Sequence, residues 1–312
     1  MSVLKDKKNR PALLVAIVLS LAGNAFGQAT RTWVSGVGDD VNPCSRTAPC
    51  KTYVGAFTKT AAGGEINAMD SGGFGSLSIT KSITIDGTGT MASTLSSYAN
   101  GIVVNVGPSD VVTLRNLSIN GAGTGISGVR MISGGTLILE NVEISGHTVR
   151  GIEFIPSAPA TLIAKNVNIR NNGGGVLVKP GVGATASVEL VDVLLARNAS
   201  FGLRAEDNST VSVRNSVAAN NTNNGFLAIS AGGPVQLTIR RTESTGHRNA
   251  GANSAGVQSN GGQAVVRLDS VMLVGNDLGV YIVNGGTVAS WGNNCITGNG
   301  VNGAPNSALT PQ

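Results

Sequence analysis

Apolar and polar residues alternate along this chain in short runs that recur. VTLRNLSINGAGTGI (112–126), LILENVEISGHTVRGI (137–152), LIAKNVNIRNNGGGV (162–176), VELVDVLLARNASFGL (188–203) and VSVRNSVAANNTNNGF (211–226) share one frame. It reads apolar, x, apolar, x, Asn, any, x, apolar, a polar turn, Gly, apolar. Weaker copies follow at 237–251, 266–280 and 291–303. The residue at the Asn position runs Asn116, Asn141, Asn166, Asp192, Asn215, Arg241, Ser270 and Asn293, at spacings of 25, 25, 26, 23, 26, 29 and 23. A period this regular marks a stack of repeats.

The phase of the alternation says what the Asn position does. Val112 and Leu114 share one face at strand period two, and Leu117 and Ile119 must share it too, although Leu114 and Leu117 are three apart. The chain therefore turns a corner at Arg115 and Asn116. Asn tolerates the left-handed conformation of such a corner, and stacked Asn side chains hydrogen-bond along a ladder. A second turn follows Ile119, and a Gly-apolar pair, Gly125-Ile126 in this copy, begins a third strand.

Three short strands per coil of about 25 residues, stacked in parallel, predict an all-β, single-stranded right-handed parallel β-helix. Between about Glu65 and Gly303 there is room for nine or ten coils, a rod of roughly 45 Å at ~4.8 Å per coil. Such an array needs capped ends. RTWVSG predicts a short N-terminal strand. KTYVGAFTKTAA places Tyr53, Ala56, Phe57 and Thr60 on one helical face, suited to cover the first coil. The expected organisation is a leader over 1–27, a strand and capping helix over 28–63, and the β-helix over 64–312.

The leader changes the charge picture. Lys5, Lys7, Lys8 and Arg10 precede an apolar run from Ala12 to Ala22, and small residues stand three and one before a cut after Gly27. This is the pattern of a secretory signal peptide, too short for a membrane span. It holds four of the 22 Lys+Arg and one of the 17 Asp+Glu, leaving 18 against 16, or +2. A near-neutral mature chain lacks the electrostatic footprint of a nucleic-acid binder. The expected product is secreted, periplasmic or extracellular, without a membrane span, and monomeric. In that oxidising setting Cys44 and Cys50 are expected to close a small disulfide loop, with Cys295 an odd thiol packed in the last coil.

WVSGVGDDVNPCSRTAPCKTYVGAFTKTAAGGEI, DSGGFG and ITKSITIDG together resemble the leading segment of secreted bacterial right-handed β-helix proteins of the pectin-lyase-like superfamily. With the coils, the resemblance covers nearly all of the mature chain. It implies the fold and leaves the activity open among polysaccharide lyases, hydrolases, epimerases and adhesins. Cys44 and Cys50 stand where relatives often have Gly and an apolar residue, so the disulfide is a local addition.

The candidate chemistry is sparse. ISGHTVRGI, flanked by Glu143 and Glu153, has the residue types of acid/base machinery, but His147 falls in one turn column with Asn172, Asn198, Asn221, His247, Asn276 and Asn299. Both histidines therefore read as rungs of the repeat, four coils apart. Arg115, Glu140 and Lys165 form an outward charge column beside the corner. Asp39, Asp40 and Asn42 read as an Asx-rich turn before Pro43 rather than a calcium loop.

The resemblance directs attention to the strand after the Gly-apolar step, whose expected outward residues are Ser127, Glu153, Leu177, Arg204, Leu227, Gln258 and Tyr281. Calcium-dependent lyase chemistry needs carboxylates on adjacent coils and a basic residue, and inverting hydrolysis wants two carboxyls ~6.5 to 9.5 Å apart. That face lacks aspartate, so neither a metal nor a cofactor is expected. The catalytic candidates are Glu153, Lys179 and Arg204. Leu177, Leu227, Ile229 and Tyr281 are the candidates for binding a polysaccharide or a surface protein. The favoured expectation is a non-catalytic structural or binding role, and the alternative is a polysaccharide lyase or glycoside hydrolase acting on this face.

Overall fold

A computed structural model describes residues 27–249 and 253–310; the expected leader lies outside the described residues, apart from Gly27. Three parallel sheets wind around one apolar core in about nine right-handed turns. The first sheet contains 83–86, 111–115, 135–140, 160–165, 186–191, 209–214, 235–240 and 264–269. The long extended segments Val111–Met131 and Gly135–Phe154 each pass through all three sheets.

Strict register makes the core. Val112, Leu137, Leu162, Val188, Val211, Leu237 and Val266 face one another on successive coils. All seven are buried, as are Leu117, Val142 and Val167 on the second sheet and Ile152, Val176 and Leu203 on the third. No single coil buries these side chains alone, so each is stable only against its neighbours.

The corners sit where the repeat frame puts them. Asn116, Asn141, Asn166, Asp192, Asn215, Arg241 and Ser270 all have φ between 48° and 57°. Asn141 Nδ2 donates to Asn116 Oδ1 at 3.1 Å, and Asn166 Nδ2 to Asn141 Oδ1 at 2.7 Å. Asn293 departs from the frame. The left-handed residue there is Gly292, with φ 82°, and Asn293 Oδ1 instead accepts from the Ser270 amide. One extra residue lengthens this last corner, since Leu268 pairs with Ser290 while Met272 pairs with Cys295.

A second departure moves the third strand in one coil. Val129, not Ile126, pairs with Ile152, and Arg130 pairs with Glu153. The Gly-apolar step is thus Gly128-Val129, Ile126 is exposed and Ser127 is fully buried. Left-handed Ala122 and Gly123 lengthen the preceding turn and absorb the three residues.

At the N-terminal end, Ala29–Val34 forms strand β1, parallel to Thr60–Ala68 and in register with it from Arg31 onward. Helix α1, Tyr53–Lys59, starts at Thr52, whose side chain accepts the Gly55 amide. It ends under Lys81, whose ammonium donates to the carbonyls of Phe57 and Thr60 and sits 4.5 Å above the Phe57 ring. Tyr53 and Ala56 are buried, with Tyr53 5.3 Å from Phe74.

Cys44 and Cys50 form a disulfide. The loop they close lies along the free edge of β1: Trp33 N donates to Cys44 O, Cys50 N to Trp33 O, and Ser35 N to Cys50 O. That covers backbone which would otherwise invite another strand. Cys295 does not pack inside the last coil. It begins Cys295–Thr297, the last rung of the second sheet, and its thiol is exposed because no further coil covers it.

Candidate functional site

The third sheet carries an outward column of Arg130, Glu153, Leu177, Arg204, Leu227, Gln258 and Tyr281 on consecutive coils. Alternation along each strand points these side chains away from the core. One pleat further on, Lys179 and Glu206 form a second outward pair.

The structure does not bring Glu153 and Arg204 together, because Leu177 stands between them. Glu153 is held by Arg130, with Nε to Oε2 at 3.0 Å, and accepts from Ser127 Oγ at 3.1 Å. The Arg130 Nε–H is not aimed along that line, so this is an ion pair rather than a good hydrogen bond. Arg204 Nη2 lies 2.5 Å from Glu206 Oε1, and Lys179 Nζ lies 2.9 Å from Glu206 Oε2. The backbones of Glu153 and Glu206 are two rungs and one pleat apart, about 12 Å between Cα atoms by strand spacing and rise.

Arg150 completes the cluster, and strand alternation gave no signal for it because it lies where the register between these coils shifts, just before the Gly-apolar step. Its guanidinium stacks 4.9 Å from the centroid of Phe201. Burial, and then the neighbouring Arg204 charge, hold it below the ordinary arginine value. The face thus gathers four cations, Arg130, Arg150, Lys179 and Arg204, around two carboxylates. Tyr281, further along, accepts from Asn253 Nδ2. Leu177 and Ile229 are half-buried, and Leu227 is 7% exposed, so Leu227 offers almost no apolar surface.

Both histidines lie inside the turn column. His147 N donates to Asn172 Oδ1, Asn172 N to Asn198 Oδ1, Asn198 N to Asn221 Oδ1, and Asn221 N to His247 Nδ1. His247 N and Asn276 N continue the series to Asn276 Oδ1 and Asn299 Oδ1. Each accepting side chain satisfies a backbone amide of the coil before it, while the His147 ring faces Ser96 Oγ and Asn172 Oδ1. The tautomer of His247 that satisfies every donor has Nδ1 accepting and Nε2–H donating to Ser244 Oγ, which donates to Gly256 O. Desolvation lowers the pKa of both imidazoles.

The Asp39 to Asn42 turn is similarly self-contained. Asp39 accepts the Val41 amide, Asp40 accepts from Lys51 and Thr52, and the Lys59 ammonium donates to the carbonyls of Asp40 and Asn42. A lysine charge occupies the place a cation would need. Among the described residues, no three His, Cys, Asp or Glu side chains are gathered as a metal site. No helix among them is long and apolar enough to cross a membrane.

Stacked parallel strands, left-handed corners and an internal amide column define a solenoid of the β-helix class. The chain belongs to the family whose model is described as "Right handed beta helix region", which matches residues 100–278. Pectate lyase Pel9A is similar in structure, at TM-score 0.58 and 16% identity over 83% of this chain and 74% of its own. The alginate lyase from Paenibacillus sp. str. FPU-7 is similar at TM-score 0.51 and 18% identity, over 87% of this chain and 97% of its own. These likenesses are of fold. Comparison with curated protein sequences gives no match.

Proposed function

We propose that this is a secreted β-helix protein that holds an acidic polysaccharide on its third sheet without cleaving it. The observation that carries this reading is the stacking of Arg130, Arg150, Lys179 and Arg204 around only two carboxylates, with Arg150 spread over Phe201. Guanidinium groups recognise carboxylates by paired hydrogen bonds, and two arginines on neighbouring coils meet successive acidic sugars. The disulfide supports an oxidising, extracellular setting. The fold neighbours, a pectate lyase and an alginate lyase, suggest the polymers to try.

Cleavage is the weaker reading. Each candidate catalytic group is tied to an opposite charge: Glu153 to Arg130, and Glu206 to both Lys179 and Arg204.

The test is retention of the mature protein on immobilised polygalacturonate and alginate, with absorbance at 235 nm followed for unsaturated ends. Retention that falls with salt, weakens at least tenfold in the Arg150→Ala/Arg204→Ala double variant and leaves absorbance flat is the expected result. No retention, or retention unchanged in that variant, overturns the binding site. Rising absorbance lost in Glu153→Gln or Arg204→Ala makes the protein a lyase instead.

A further inference from the structure

The first sheet carries a groove of about 530 Å³ on a different side of the rod. It runs along the axis across consecutive coils, where the chain leaves the third sheet and enters the first. Thr136, Thr161, Ser187, Thr210 and Gln236 line its floor, and they are direct register partners, one per rung. Thr136 and Thr161 are half-buried, while Ser187 and Thr210 are exposed. Of this row, only Gln236 is engaged by another side chain among the described residues, accepting from Arg267 Nη1 at 2.6 Å. Pro159 and Pro234 stand along the rim and present ring C–H surface.

Three properties constrain the occupant. No lining residue is charged, so the groove has nothing to offer an acidic polymer and no ion pair to lose against a neutral one. Its free hydroxyls repeat at the rung spacing of ~4.8 Å in a straight line, so a partner that matches all of them must itself repeat at nearly that interval. The combination of hydroxyl floor and apolar rim suits a ligand with equatorial hydroxyls and C–H faces. We propose that this groove holds a neutral, linear, β-1,4-linked glycan lying parallel to the axis, about one sugar per rung.

The groove has no aromatic platform, so each sugar binds weakly and affinity comes from the number of rungs engaged at once. Binding here is independent of the acidic-polymer site, because the two sites are on separate sheets and the groove lining carries no charge. The rod then bridges two kinds of polysaccharide.

The experiment mixes wild-type mature protein with microcrystalline cellulose, insoluble mannan and insoluble xylan at high salt, which silences the third-sheet face. Retention on at least one polymer is expected, displaced by its hexasaccharide and not by its disaccharide. Thr161→Val/Ser187→Ala/Thr210→Val should lose about a hundredfold in affinity, three hydrogen bonds at roughly fivefold each. Thr161→Arg, a single outward change that blocks the groove, should abolish retention while leaving the unfolding midpoint in place. Arg150→Ala/Arg204→Ala should bind these neutral polymers as wild type does. Failure of the wild type on all three polymers, or undiminished retention in both groove variants, overturns the proposal whatever the acidic polymers do.

Discussion

His247 is neutral at pH 7, fully buried, with its ring nitrogens committed to Asn221 N and Ser244 Oγ. Burial lowers its pKa from 6.5 to about 4. Below 6.5 the unfolded chain takes up a proton that the folded chain refuses. The stabilisation is therefore whole above 6.5, declines as pH falls, and is spent once pH passes about 4. The gap corresponds to about 3 kcal/mol, and His147 adds a loss of the same sign. Urea midpoints recorded from neutral pH down to about 4 should show this decline. His247→Asn, the residue its column carries on neighbouring coils, should flatten it. Gly225 packs against the same ring: a Cβ there would lie 2.0 Å from Ser244 Oγ and 2.6 Å from His247 Nε2. Gly225→Ala should cost about 2 kcal/mol in thermal unfolding. The role of these histidines was legible in the sequence because the column is spelled mostly with asparagine. Arg150 was not, because it lies at a register shift where the alternation is interrupted; only its stacking on Phe201 reveals it.

Among the elements, the N-terminal edge illustrates how a sheet is stopped. The disulfide loop pairs with β1 along Trp33–Ser35, so the bond holds a cover over an open edge as well as closing a short loop. Cys44→Ser/Cys50→Ser should lower stability by about 2 kcal/mol, the loop-entropy value for so short a ring. It should also raise self-association, read by light scattering against wild type. The pairing of the two cysteines could be anticipated from their spacing, but what their loop covers could not. The third strand of 129–131 shows a related limit. Two Gly-apolar pairs, Gly125-Ile126 and Gly128-Val129, both fit the frame, and contact with the next coil selects the second. Leu227 reads outward by phase, yet burial depends on the longer neighbours Arg204 and Gln258 in its column, which the alternation does not weigh.

For the whole molecule, the register of the repeat is its main determinant of stability. Thr136 stacks on Val111 and Thr161 stacks on Thr136, so removing residues 136–160 sets Thr161 directly on Val111. That deletion should keep a β-type circular dichroism spectrum and a cooperative thermal transition, because stability is a sum over coils and interfaces. Removing 136–147 alone breaks the register and should abolish the transition. The same one-coil deletion takes Arg150 and Glu153 with it, so retention on acidic polysaccharide should fall while the rod survives. The overall architecture was legible because the core positions of successive coils repeat one rule. The distribution of charge around the rod was not, because each outward column follows its own local partners.

The stacking of Leu137 on Val112 and Leu162 on Leu137 has a consequence for inheritance. Because successive layers are interchangeable in register, an in-frame gain or loss of one coding segment of about 25 codons inserts or removes one whole layer. Descendants of this chain can therefore differ in length by discrete steps of about one rung, each step leaving a seamless core while lengthening or shortening both outer faces together.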